Sequence, residues 1–123
     1  MSFRLRWTSE ATETFEKLQR AAVKAGEDRA TAAQKRGARK RTKSSKQEGL
    51  FKQVAKSVQQ LADNPPHPSL KTHEYSSLAH PFDPNGKVFE AYAQNRTPGA
   101  YRVFWCYGPE KGEITIIAIT PHP

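Results

Sequence analysis

Phe3-Arg-Leu-Arg-Trp7 alternates apolar and basic residues with a period of two, the pattern of a strand with one covered face and one wet face. Thr8 or Ser9 then caps a helix. Glu10 and Glu13 fall in its first turn, where the helix dipole favours carboxylates, and Ala11, Phe15, Leu18 and Ala22 recur at helical spacing. Past Gly26 the apolar period lapses into Ala, Lys, Arg and Gln, and the polar run Thr42-Lys-Ser-Ser-Lys46 marks a break. From about Glu48 a second helix carries Phe51, Val54, Val58 and Leu61 on one face. Asp63-Asn-Pro-Pro66 stops it, because proline lacks the amide hydrogen and excludes the helical conformation from the residue before it.

The second half reads differently. Ser69 to Tyr75 suits an edge strand or an extended loop, and His80-Pro-Phe-Asp-Pro-Asn-Gly86 is turn chemistry. Three runs rich in β-branched and aromatic residues follow, Lys87–Asn95, Ala100–Tyr107 and Glu113–Thr120, separated by Thr97-Pro-Gly99 and by the segment Gly108 to Gly112. Strand, helix, helix and then several strands predict an α+β domain in which a helical hairpin covers one face of a three- to four-stranded, mostly antiparallel sheet.

Within the run ending at Tyr107, one face holds Tyr101, Val103, Trp105 and Tyr107 and the other Arg102, Phe104 and Cys106. Both faces are largely apolar, so if helices cover one, the other is a groove that something fills. Arg102 is the exception in an apolar strand and is costly there unless paired or directed at a site. It either projects into that groove or pairs with a carboxylate, for which Glu90 on the preceding strand is the nearest candidate. Trp7, Phe104 and Trp105, at alternating strand positions, read as core and not as base-stacking ligands.

A chain of 123 residues fits one domain with one modest core. Charge adds a further feature. Eight of the twenty basic residues lie between Arg29 and Gln47 with no acidic one among them, and the remaining twelve balance the twelve acidic residues, so this segment carries the formal charge of +8. A basic, low-complexity insertion at about 29–47 points to a polyanionic partner, nucleic acid or acidic protein. The lone Cys106 has no internal disulfide partner and no Cys/His neighbours at zinc-binding spacing, so neither metal nor cofactor is expected. With no long apolar run at the N-terminus, a cytoplasmic location without membrane contact is expected.

Several of these features together resemble the RelE/ParE superfamily of toxins from bacterial toxin–antitoxin pairs. They are the Arg6-Trp-Thr8 start followed by a helix with Phe15 and Leu18, the helix end running from Leu61 to Lys71, the strand Tyr101-Arg-Val-Phe-Trp105, and the close from Ile116 to His122. The resemblance covers nearly the whole chain except the basic insertion. It implies a small sheet with a helical hairpin, an antitoxin partner, and a concave face that many members use to cut mRNA on the ribosome. Arg102 matches the family arginine thought to hold the phosphate, and His122 resembles a near-terminal histidine used as acid or base. Glu90 is a further proton-transfer candidate.

On this reading Lys71, His73, Tyr92 and Arg96 contact RNA, as do Arg36, Arg39, Lys40, Arg41 and Lys43 of the insertion. His67 is a secondary candidate in the same stretch as Lys71 and His73. Glu90 and Tyr92 depart from the family pattern, standing roughly where RelE itself has strand lysines, and the chain lacks the tyrosine that often ends the active site. The fold also serves ParE-like gyrase inhibitors, which do no chemistry, and members that survive as nucleic-acid-binding modules.

Overall fold

The computed structural model describes residues 2–36, 46–94 and 99–121. Its elements run β1 (Arg4–Trp7), α1 (Ser9–Arg36), α2 (Lys46–Asp63), a 3₁₀ turn (Pro68–Leu70), β2 (His73–Glu74), β3 (Phe89–Tyr92), β4 (Tyr101–Tyr107) and β5 (Glu113–Pro121). The α+β order matches the expectation, with the N-terminal strand and the four later strands joined in one sheet. Five strands lie in the order β1-β5-β4-β3-β2. β2 to β5 pair antiparallel, whereas β1 adds to the far edge parallel to β5, with Arg4 opposite Glu113 and Trp7 opposite Ile116. The sheet is therefore mixed, because the chain leaves β1 through a helical hairpin and not through a tight turn.

Thr8 fixes the start of α1. Its Oγ1 accepts the Ala11 amide at 3.1 Å, an N-cap contact, and donates to the Ile117 carbonyl at 2.6 Å. Ile117 lies at a β-bulge, where the β4–β5 register slips between Phe104, opposite Ala118, and Trp105, opposite Ile116. The bulge turns Ile119, as well as Ile114 and Ile116, into the core, three residues that strict alternation would divide between the two faces. α1 continues to Arg36, well past Gly26. An added Cβ at Gly26 would lie 3.5 Å from Glu48, so the two helices pack closely there and the later turns of α1 run beyond the first turn of α2.

The core lies between hairpin and sheet. Val54 and Leu61 of α2 and Ala11 of α1 meet Ala91, Val103, Trp105, Ile114, Ile116 and Ile119. Trp7, Phe15 and Phe51 extend it as a chain of tilted rings with centroids 5.0 and 5.1 Å apart.

The opposite sheet face is not an open groove. Val88, Glu90, Arg102, Phe104, Cys106 and Thr115 are all buried. Residues 75–87, of which 80–86 are expected as turn, pack against this face, with Tyr75 4.7 Å from Phe104 ring to ring. His80 organises the segment: its Nδ1 accepts the amides of Phe82 and Asp83, and its Nε2 lies 3.2 Å from the Tyr107 carbonyl. With Nδ1 accepting, the ring is the Nε2–H tautomer, which donates to that carbonyl.

Candidate functional site

Two directly opposed cross-strand pairs build the candidate site. His73 of β2 faces Glu90 of β3, and Tyr92 of β3 faces Arg102 of β4. Glu90 and Tyr92 are two residues apart, so both pairs lie on one face, the face away from the helices. Ala91 between them enters the core.

Arg102 is 7% exposed. Its guanidinium carbon sits 3.6 Å from the centroid of the Tyr92 ring, a close cation–π stack. Nη1 donates to the carbonyls of Gln94 at 2.7 Å and Tyr101 at 3.3 Å. Nε is buried and has no hydrogen-bond partner among the described residues. Neither sequence expectation for this side chain is met. It does not reach across an open groove, and among the described residues no carboxylate forms an ion pair with it. The physical reason is register: Phe104, not Arg102, lies opposite Glu90, so the guanidinium meets Tyr92 instead.

Glu90 is engaged elsewhere. Its Oε1 lies 2.7 Å from Nε2 of His73, with the carboxylate buried and the imidazole half-exposed. Nδ1 of His73 lies 3.1 Å from the Lys71 carbonyl. Both ring nitrogens thus face oxygen acceptors. Nδ1 carries a hydrogen, and one proton occupies the short contact between ring and carboxylate. Of this pair, the imidazole is the partner that meets solvent.

Lys71 caps the 3₁₀ turn in a left-handed conformation, φ 46°, with its amide donating to Pro68. Such a conformation is uncommon for a side chain other than Gly, Asn or Asp, and it occurs here beside the site. It places the ammonium 5.9 Å from the Tyr92 ring centroid, and the His73 ring lies 6.0 Å away, edge-on. Of the residues expected at the site, Lys71, His73 and Arg102 therefore surround the ring of a fourth, Tyr92, and Glu90 joins them through His73.

His122, Arg96, Arg39, Lys40, Arg41 and Lys43 lie outside the described residues, and Arg36 ends α1 with its side chain likewise outside them. His67 is a structural cap, its Nδ1 accepting the Ser69 amide. Sequence reasoning missed Gln94, which holds Arg102 through its carbonyl and the Tyr101 amide through its side chain. A backbone contact leaves no signal in residue type. Cys106 is no nucleophile. Burial pushes its thiol from 9.0 up to about 11, so the thiolate is scarce at neutral pH. Among the described residues no group of His, Cys, Asp and Glu could hold a metal ion.

No protein-family model and no curated protein sequence matches the chain. Solved structures do. A YoeB/ParE toxin from Agrobacterium tumefaciens superposes with a TM-score of 0.58 at 11% identity, covering 98% of this chain and 99% of that one. This chain has the RelE/YoeB toxin fold. The archaeal RelE in its complex with RelB from Pyrococcus horikoshii OT3 gives 0.52 at 12% identity over 98% and 96% of the two chains. The YoeB of a Staphylococcus aureus dimer gives 0.54 at 11% identity over the full length of both. These matches span nearly the whole of each chain, whereas identities this low leave the chemistry to be argued from the residues.

Proposed function

We propose that this protein is the toxin of a toxin–antitoxin pair and a ribosome-dependent mRNA endoribonuclease that inhibits translation. The observation that carries the reading is Arg102: a guanidinium stacked on Tyr92, with a buried Nε–H that has no acceptor, beside a histidine–carboxylate proton pair. A phosphodiester oxygen supplies the missing acceptor. Arginine suits the task because its planar fork stays charged and binds phosphate oxygens in pairs. As Arg102 is largely covered in the free protein, the incoming strand has to draw the side chain out or displace what covers it.

Cleavage of RNA needs a base for the ribose 2′-hydroxyl, a cation on the phosphate and an acid for the departing 5′-oxygen. The 2′-oxygen attacks phosphorus, the bond to the 5′-oxygen breaks, and the products are a 2′,3′-cyclic phosphate and a free 5′-hydroxyl. Arg102, with Lys71 near the same tyrosine ring, takes the charge that grows on the phosphate. For proton transfer the sequence offers Glu90 and His122, and the geometry favours a role for His73. Glu90 is shielded and holds the imidazole, so His73 exchanges the proton and Glu90 positions it. His122, two residues after Thr120, which pairs with Arg102, supplies the complementary acid or base.

The partners on this reading are a cognate antitoxin, the ribosome and mRNA in the cytoplasm, with the basic insertion contacting ribosomal RNA. Expression in bacteria followed by mapping of mRNA 5′ ends tests it. Cuts phased with codons in translated messages are expected, and they disappear with Arg102→Ala. Growth arrest with DNA-damage signals and intact messages would overturn the nuclease reading in favour of a ParE-like gyrase inhibitor.

A further inference from the structure

A second cavity, of about 440 Å³, opens where the segment after α2 crosses the edge of the sheet. It shares Lys71 with the Tyr92 cluster but opens toward the other side of the sheet, for it is lined by Phe89, Trp105 and Tyr107, and the first two pack with the helix-side core. Pro65, Pro66 and Pro68 form its other wall. Flat rings and prolines suit a planar apolar body, and the volume falls in the range of small-molecule sites.

Two features make this more than an apolar dent. Trp105 is 1% exposed, and its indole Nε1–H has no hydrogen-bond partner; Thr72, which also lines the cavity, has a buried Oγ1 with none. Unpartnered buried donors are unfavourable, and a ligand that supplies acceptors repays the cost. The remaining lining is cationic or neutral. Lys71 contributes an ammonium, and His67, whose Nδ1 accepts the Ser69 amide, retains an Nε2–H to donate. Among the described residues no carboxylate lines the cavity.

A heteroaromatic ring with acceptors on its edge, carrying an anionic group toward a lysine and a histidine, is a nucleotide. We propose that this cavity binds one nucleotide, base inward against Tyr107 and Phe89 with its edge on Trp105 Nε1 and Thr72 Oγ1, and phosphate at Lys71 and His67. Trp105 Nε1 and Thr72 Oγ1 are shielded from water, so the Tyr107 ring has to turn aside to open the way to them and then packs against the base. That ring is 46% exposed and packs edge-on against Trp105 with centroids 5.0 Å apart. The site shares Lys71 with the nuclease reading and otherwise does not depend on it.

The test is titration of the isotope-labelled full chain with AMP, GMP, CMP and UMP, their nucleosides and inorganic phosphate, read at the Trp105 indole N–H resonance. At least one nucleotide is expected to shift that resonance saturably at millimolar concentration or below, more tightly than its nucleoside. Trp105→Phe, which removes the donor and keeps a ring, should weaken that nucleotide about tenfold, which is about 1.4 kcal/mol. Should that variant not fold, Lys71→Gln decides: it should weaken the nucleotide and leave nucleoside binding unchanged. An indole signal unmoved by every nucleotide overturns the proposal. So do a nucleoside that binds as tightly as its nucleotide, phosphate that shifts only Lys71, and a proline-rich peptide that moves the indole where nucleotides do not.

Discussion

Arg102 shows how a charged side chain is kept in a sheet without a carboxylate. The Tyr92 face and two backbone carbonyls replace water around the guanidinium, and its buried Nε–H stays unspent. Arg102→Ala should lower mRNA cleavage by at least about 10²–10³-fold, the usual cost of losing one donor to developing charge. Arg102→Lys should recover part of it, because the charge survives and the planar fork does not. The His73–Glu90 pair makes a separate prediction. Glu90→Gln and His73→Gln should each slow cleavage by about 10²–10⁴-fold and each remove the same limb of the pH–rate profile, if the two act as one proton-transfer unit. Loss of different limbs would separate their roles.

Cys106 offers a stability test at the same scale. Its thiol ionises at about 11 in the folded chain and at 9.0 when unperturbed, so the folded state favours the neutral form. That contribution is complete below pH 9 and is lost as the pH rises from 9 to 11, because the unfolded chain ionises first. At about 1.4 kcal/mol per unit the loss amounts to roughly 2–3 kcal/mol at most. Urea unfolding of the wild type should show this decline and Cys106→Ala should not. Thiol reagents at neutral pH should label the protein only after denaturation.

Among the elements, the segment from Tyr75 to Lys87 changed the picture most. The sequence marks its 80–86 stretch as turn, and the structure uses the segment as the cover of the sheet face opposite the helices. His80 is its hub, and an added Cβ at Gly86 would fall 2.4 Å from the His80 Cδ2, closer than real contacts allow. Gly86→Ala should therefore displace the ring, release its hydrogen bonds to Phe82, Asp83 and Tyr107, and cost about 1–3 kcal/mol, as overpacking does. Faster proteolysis between residues 75 and 87, with β4 and β5 still protected, is the expected signature. Uniform loss of protection would mean that the segment is part of the global folding unit. The two helices, β4 and β5 were legible because each carries a full hydrophobic period. β2, at two residues, has no period to read; its pairing follows from the fold.

For the whole molecule, the described ends of the basic insertion belong to the helical hairpin, up to Arg36 in α1 and from Lys46 in α2. Gly26 lies against Glu48, so residues 27–31 suffice to connect the helices, a length within the usual range for such connections. Deleting residues 32–45 should leave the thermal unfolding midpoint nearly unchanged while weakening ribosome or RNA association and flattening its dependence on salt. Equal affinity and an equal salt slope would remove the role given to that segment.

The sequence alone determined the order of elements, the helical hairpin, the charge separation and the short set of residues able to do chemistry, because periodicity, turn residues and ionisable groups are local properties. Tertiary structure decided which of those residues meet. Register set Arg102 against Tyr92 and His73 against Glu90, the bulge at Ile117 turned Ile119 inward, and the 75–87 segment closed the second face. Such pairings depend on contacts between residues far apart in the chain, where a slip of one position exchanges the two faces of a strand, and no local pattern encodes that choice.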